Sequence, residues 1–149
     1  MNKHYQLAVI GAGSGGREAA LVAAQNGLRV VLIEEDTLGG TCLHRGFYCL
    51  RALRACVEGA KYGARTSNSG FDADGAGTRL PDWVTTQRKV SVRLTQAWNK
   101  QLERAGVDIR FGRAMLIEIG RISLTTSYGE PEFIEGRLHH RRYRLATGI

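Results

Sequence analysis

The chain has no apolar run approaching the roughly 20 residues that a helix needs to cross a bilayer, so no membrane partner is expected. One Lys precedes a short apolar strand at the N-terminus. This reads as the start of a fold and not as a secretory signal, and a cytoplasmic setting is expected. Cysteine is scarce, with three residues. An odd number in such a chain points to free or redox-active thiols rather than a structural disulfide framework. Acidic side chains are also few, 14 against 21 Lys and Arg, for a formal net charge of +7. A nucleic-acid surface needs its positive charge gathered on one face or stripe. Here the basic residues run along most of the chain, with one cluster at Arg137, Arg141, Arg142 and Arg144 beside His139 and His140. A solvated basic surface is the expectation, and no nucleic-acid partner. Such a surface also helps attract an anionic cofactor. His139 and His140 have no Cys, Asp or Glu at metal-ligand spacing, so no metal site is expected. No repeat or low-complexity run is present.

Against these absences stands one dense pattern near the N-terminus. The apolar run Leu7–Ile10 leads into Gly11-Ala12-Gly13-Ser14-Gly15-Gly16, a G-x-G-x-x-G sequence. Alone it is weak, because many turns are glycine-rich. Its context is stronger: Arg17–Gln25 reads helical, Asn26-Gly27 is a helix stop, and Arg29–Glu34 is a β-branched strand ending in a carboxylate. In a dinucleotide-binding βαβ unit Gly11 permits the tight turn, Gly13 lets backbone approach a pyrophosphate, and Gly16 lets the helix pack on the strand. Glu34 falls roughly 20 residues after the glycines, where such a unit places the acid that holds a ribose.

Downstream, Thr41–Tyr62 reads as one helix with an apolar stripe of Cys49, Leu50, Leu53, Cys56, Val57 and Ala60. Residues 67–80 read as a surface loop. Pro81 opens a helix over Asp82–Arg104, stopped by Gly106, whose apolar line is Val90, Leu94, Trp98, Leu102 and Ala105. Val107–Gly112 reads as a third parallel strand. Residues 114–138 read as an antiparallel meander of Ala114–Ile119, Ile122–Thr126 and Glu132–Leu138, and Tyr143–Ala146 as a final short strand. A central parallel strand is normally almost wholly apolar. The polar His139–Arg144 segment therefore predicts an edge position or a compromised fold there. With 149 residues and 43% hydrophobic content the chain can form one ordinary domain with a real core. The expected fold class is α/β: a Rossmann-like βαβ unit with a parallel sheet plus an antiparallel meander.

Glu34, followed five residues later by Gly39-Gly40-Thr41-Cys42, closely resembles the FAD-binding start of the class I pyridine nucleotide–disulfide oxidoreductases. That group includes dihydrolipoamide dehydrogenase, mercuric reductase and glutathione reductase. The resemblance runs from Tyr5 to about Tyr62 and resumes at Gly106–Ala114 and at Ala146-Thr147-Gly148. It implies FAD as cofactor, held by Gly11, Gly13, Ser14, Gly15, Gly16, Glu34, Gly40, Thr41, Cys42, Arg51, Ala114, Thr147 and Gly148. It also implies that residues 1–149 are one partial FAD-binding domain, apparently truncated, without the family's NAD-binding and interface domains. NAD(P)H would then serve only if a domain supplied it from elsewhere, and a homodimer belongs to the full-length family.

In that family the Gly-Gly-Thr-Cys segment opens a helix carrying two cysteines with four residues between them. Cys42 matches the exchanging thiol, but the flavin-facing position is Phe47, and Arg51 replaces a common Lys. On a continuous helix Cys42 and Cys49 lie about 10.5 Å apart along the axis, beyond the Cα separation of about 7 Å that a disulfide tolerates. Cys49 and Cys56 therefore read as buried core cysteines. Cys42 has two readings. It is either an exchanging thiol in an electropositive helix start near Arg45, or a residue that merely packs at the cofactor cleft. His44, two residues away, does not face Cys42 on a helix and reads as an exposed polar residue.

The leading functional expectation is the FAD-binding portion of a dihydrolipoamide dehydrogenase-like oxidoreductase, inactive alone because the second redox thiol and the NAD domain are missing. The alternative is a non-catalytic dinucleotide-binding or partner-binding module. A small NAD-dependent dehydrogenase fits less well, since Leu38–Cys42 has no role there and no Tyr–Lys or His–Asp arrangement is visible.

Overall fold

A computed structural model describes residues 4–67, 80–126, 129 and 131–141. The chain divides into two compact units, one of residues 1–40 with 95–149 and one of residues 41–94.

The first unit is built on a mixed six-stranded sheet. Its strands are β1 (His4–Ile10), β2 (Val30–Glu34), β3 (Asp108–Phe111), β4 (Arg113–Glu118), β5 (Arg121–Thr125) and β6 (Glu132–Arg141), in the order β3-β2-β1-β6-β5-β4. β1, β2, β3 and β6 run parallel to their neighbours at the β3-β2-β1-β6 side. β4, β5 and β6 form the expected antiparallel meander. β2 is apolar until its last residue because it is covered on both faces, and all five of its residues are buried. One face packs Val9, Val30 and Leu32 against Ala20, Leu21 and Leu102. The other packs Ala8, Val31 and Ile33 against Ile122, Leu124 and Ile134. Burial of each such aliphatic side chain stabilises by about 1.5–3 kcal/mol, so the paired faces dominate the unit's cohesion.

Helix α1 (Ser14–Gln25) begins three residues before the expected Arg17 and stops where the sequence indicates. Gly27 takes φ +83°, and the amides of Gly27 and Leu28 close onto Ala24 and Ala23 carbonyls at 2.9 and 3.1 Å. Helix α4 (Leu80–Arg104) ends in the same way at Gly106, φ +80°. Its apolar line is graded: Leu102 is fully buried, Leu94 and Trp98 half-buried, and Val90 exposed.

The polar segment meets its expectation in part. β6 is one continuous strand to Arg141, and His139, His140 and Arg141 pair with Ala8, Val9 and Ile10 of β1. The strand as a whole has an inner place in the strand order, but its polar stretch has a partner on one side only among the described residues, so locally it is an edge, as its composition predicts. The strand changes partners at Glu135: β5 pairs only Glu132 to Glu135, and β1 takes over from there. Past Glu135, among the described residues, only one rim of β6 is hydrogen-bonded to a neighbour, and this relaxes the usual demand for apolar side chains on an inner strand. The expected strand at Tyr143–Ala146 lies outside the described residues, as does most of the loop expected over 67–80.

A polar network ties β1, β3 and β6 together. The buried Tyr5 hydroxyl donates to the Asp108 carboxylate, and the Arg110 guanidinium lies 3.2 Å from Asp108 and 3.6 Å from Glu132. Burial, and then the bonded carboxylate, push the Tyr5 phenol up to about 12. Its unfolded value is about 10, so the stabilisation is complete below pH 10 and lost as pH rises toward 12. Over that window the wild type is expected to lose about 2–3 kcal/mol that Tyr5→Phe does not lose. Denaturant unfolding of both proteins between pH 9 and 12 measures this, and equal slopes would refute it.

The second unit contains α3 (Phe47–Ser67), the residues of α2 (Gly40–His44) from Thr41, and α4 through Leu94. The single helix expected over Thr41–Tyr62 is therefore broken at Arg45 and Gly46. The Arg45 amide closes the last α2 bond to the Thr41 carbonyl at 2.9 Å, and the Gly46 carbonyl accepts from Leu50 in the first turn of α3 at 3.0 Å.

Candidate functional site

The end of β1 turns sharply at Gly11, whose φ of +97° favours a residue without a Cβ. Its amide still donates to the Ile33 carbonyl at 2.7 Å, so the turn stays registered with β2. Two residues on, Gly13 occupies the N-cap of α1 and provides no side-chain cap. The first-turn amides have no intrahelical acceptors, as at any helix start, and with no capping side chain they remain available to an anion. Gly16 is glycine for a different reason. A Cβ there would lie 1.8 Å from the Gly11 carbonyl oxygen. Helix and strand can approach this closely only because position 16 has no side chain.

Glu34 closes the site from the end of β2. It is 9% exposed, and one carboxylate oxygen accepts from the Ala12 amide at 2.6 Å. The other accepts from the Asp36 amide at 3.0 Å. Each oxygen keeps a second lone pair, enough to accept a pair of ribose hydroxyls. A third segment, Leu38–Gly40, seals the arrangement. The Gly39 amide donates to the Ala12 carbonyl at 2.9 Å, and Gly13 and Gly39 form an isolated parallel bridge. Gly40 takes φ +54°, and a Cβ there would come within 3.3 Å of the Gly13 Cα.

The first unit thus brings Gly11, Gly13, Ser14, Gly15, Gly16, Glu34 and Gly40 into one corner at the carboxyl ends of β1 and β2. Ala114, on β4, packs half-buried against the cluster that contains Ile33. Gly39 and Ala12 were not singled out as contact residues by sequence, although both lie within the quoted motifs and both serve through backbone groups. Thr147 and Gly148 lie outside the described residues. A dinucleotide such as FAD fits this corner chemically: helix amides without a capping side chain suit an anion, a steric cradle admits backbone only, and a carboxylate stands at the sequence distance from the turn at which a ribose is held.

Thr41, Cys42, Phe47 and Arg51 belong to the second unit. All three cysteines are free thiols and half-buried. Cys49 and Cys56 are therefore not core residues, and their apolar line faces outward in part, with Leu50 67% and Val57 45% exposed. The helix break supplies the reason for Cys49. Its sulfur lies 3.4 Å from the Leu43 and His44 carbonyls at the break, and the Gln87 side-chain amide reaches it at 3.4 Å. The axial spacing of an unbroken helix accordingly does not apply to Cys42 and Cys49. His44 is half-buried, not exposed. Phe47 is 57% exposed and meets Tyr48 edge-on at 5.6 Å. Among the described residues no group of three His, Cys, Asp or Glu could hold a metal ion, and no helix is long and apolar enough to cross a membrane.

Comparison with known proteins follows from this geometry. The family profile described as "Pyridine nucleotide-disulphide oxidoreductase" matches residues 5–118. A dihydrolipoyl dehydrogenase of Chlorobaculum parvum is 32% identical over 131 residues, covering 88% of this chain and 28% of that protein. A glutathione reductase of a Nostoc species is 34% identical over 141 residues, covering 93% of this chain and 29% of that protein. The solved structure of LpdA from Mycobacterium tuberculosis superposes with a TM-score of 0.79 at 25% identity, over 90% of this chain and 30% of that one. The chain spans less than a third of the length of each of these relatives.

Proposed function

The chain belongs to the pyridine nucleotide–disulphide oxidoreductase family, and from that premise we propose that residues 1–149 bind FAD through its ADP half as the FAD-binding portion of a dihydrolipoamide dehydrogenase-like oxidoreductase. The observation that carries the reading is the Glu34 carboxylate held against the Ala12 amide inside the glycine turn. In this reading Gly11, Gly13 and Gly16 set the approach of the pyrophosphate, the amides of Ser14 and Gly15 donate to it, and Glu34 accepts from the adenosine ribose. Ala114 lies beside the adenine. The family resemblance assigns further FAD contacts to Gly40, Thr41, Cys42 and Arg51, and to Thr147 and Gly148, which lie outside the described residues. FAD supplies the redox chemistry when bound. This chain's residues bind it, orient it and exclude side-chain bulk from its phosphates. The proposed setting is the cytosol, with NAD(P)H acting only through a nucleotide-binding domain supplied from elsewhere, and a homodimer belongs to the full-length family.

A second reading, a dinucleotide-binding module without catalysis, is favoured by one observation: Phe47 stands where the family's flavin-facing thiol belongs. Purification and visible absorption separate the two classes of cofactor. A yellow protein supports FAD; a colourless protein that binds adenine nucleotides supports the plain module. Glu34→Gln is expected to weaken ADP and FAD about tenfold, because one charged acceptor for the ribose is lost. Titration calorimetry with ADP reads this directly, and equal affinities would remove Glu34 from the site.

A further inference from the structure

We infer that Gly112 is a positioning residue for the adenosine end of this site, an assignment that rests on the dinucleotide reading above. Gly112 is the single residue between β3 and β4, where the chain leaves the parallel sheet for the meander. Its amide donates to the Glu34 carbonyl at 2.8 Å, one step beyond the Glu34–Phe111 pairing of β2 with β3. The turn joining the two parts of the sheet is therefore bonded directly to the main chain of the residue whose carboxylate faces the glycine turn.

The same position is closed to side chains. Its φ is +152°, and a Cβ would lie 2.6 Å from the Thr125 carbonyl oxygen and 2.9 Å from a Leu124 methyl. Thr125 and Leu124 are the register partners of Arg113 and Ala114. Anything larger than glycine must either part β4 from β5 or draw the amide off Glu34. Both movements reach the adenosine contacts, Ala114 two residues on or Glu34 itself. Gly11, Gly13 and the first turn of α1, which hold the pyrophosphate, lie on another segment and meet Glu34 through its carboxylate at the Ala12 amide. Gly112 thus acts first on the adenosine end of the ligand.

Titration of the whole chain with ADP and with inorganic pyrophosphate separates these ends. For Gly112→Ala, ADP affinity is expected to fall about tenfold while pyrophosphate affinity stays within about twofold. Gly120→Ala, at the β4–β5 turn with φ +90°, is the control. It lowers the melting temperature but leaves the ratio of the two affinities unchanged. Equal weakening of both ligands by Gly112→Ala would reduce Gly112 to a structural residue, and undiminished ADP affinity would also overturn the assignment. A second measurement needs no variant. Amide exchange of Gly112 and Ala114 in the wild type should slow on adding ADP and not on adding pyrophosphate, and equal protection by both would overturn the assignment even if Gly112→Ala did not fold. A wild type that binds pyrophosphate but gains nothing from adenosine refutes the positioning role. One that binds neither FAD, ADP nor pyrophosphate refutes the dinucleotide reading itself.

Discussion

Gly13→Val is expected to lower dinucleotide affinity by at least about 100-fold while leaving the chain folded. Gly13 has φ −67° and ψ −179°, ordinary extended backbone that any residue adopts, so its conformation does not call for glycine. What calls for glycine is the approach of a ligand. A branched side chain at the N-cap would stand over the first-turn amides and hold phosphate oxygens beyond hydrogen-bond reach. Loss of two such charge-assisted bonds, at about 1.5 kcal/mol or more each, gives that hundredfold. Gly16→Ala would be a poor substitute for this experiment. A Cβ 1.8 Å from the Gly11 carbonyl must displace α1, so a loss of binding there could simply report a damaged fold. FAD and ADP titrations of Gly13→Val, with its melting temperature, supply the measurement. Undiminished affinity would sink the glycine-turn assignment.

The flavin-loaded chain is expected to reduce lipoamide, glutathione disulfide or mercuric ion with NADH or NADPH no faster than free flavin does. Electron exit in the resembled family runs through a pair of thiols, and here position 47 is Phe. Cys49 is not expected to substitute, because its sulfur is engaged by the Leu43 and His44 carbonyls at the helix break and by the Gln87 side-chain amide of α4. The 149 residues contain one G-x-G-x-x-G turn, which the flavin nucleotide occupies in this reading. Turnover above free flavin that vanishes on Cys42→Ser would overturn the expectation and give Cys49 or a partner subunit the role of second thiol. Thiol counting provides an independent check. Mild oxidation should leave three titratable thiols in the wild type, whereas Phe47→Cys should gain one and lose two to a disulfide with Cys42. Nicotinamide-driven turnover is expected to stay absent in that variant.

The nucleotide-binding corner was legible in the sequence because its requirements are local. Gly11, Gly16 and Gly40 are needed for backbone reasons, and Glu34 ends a strand whose five residues are all buried. The meander was legible from alternation and its glycine turns. The second unit was not. Helical periodicity over Thr41–Tyr62 is good enough to read straight through Arg45 and Gly46, yet the Leu43 and His44 carbonyls there meet the Cys49 thiol. That contact is a tertiary bond between residues five and six apart, which no period of 3.6 announces. β6 was legible only in part. Its His139–Arg141 stretch reads as an edge by composition and is bonded on one side only among the described residues, to β1, but the inner place of Glu132–Glu135 between β1 and β5 depends on pairings distant in sequence. Gly112 lay within a recognised segment, but its significance depends on Thr125 and Glu34, residues that are distant in sequence.

The Glu34–Ala12 bond, the Gly13–Gly39 bridge and the Gly39–Ala12 bond together mean that the turn is already stapled from two sides before any ligand arrives. A flexible glycine loop would have to surrender many backbone states on binding, at roughly 1–2 kcal/mol for each residue fixed. Here that ordering has been completed by folding. Capture of a nucleotide should therefore be limited by encounter and not by loop rearrangement, and the glycines that look like points of freedom in the sequence act in the folded protein as parts of a rigid mould.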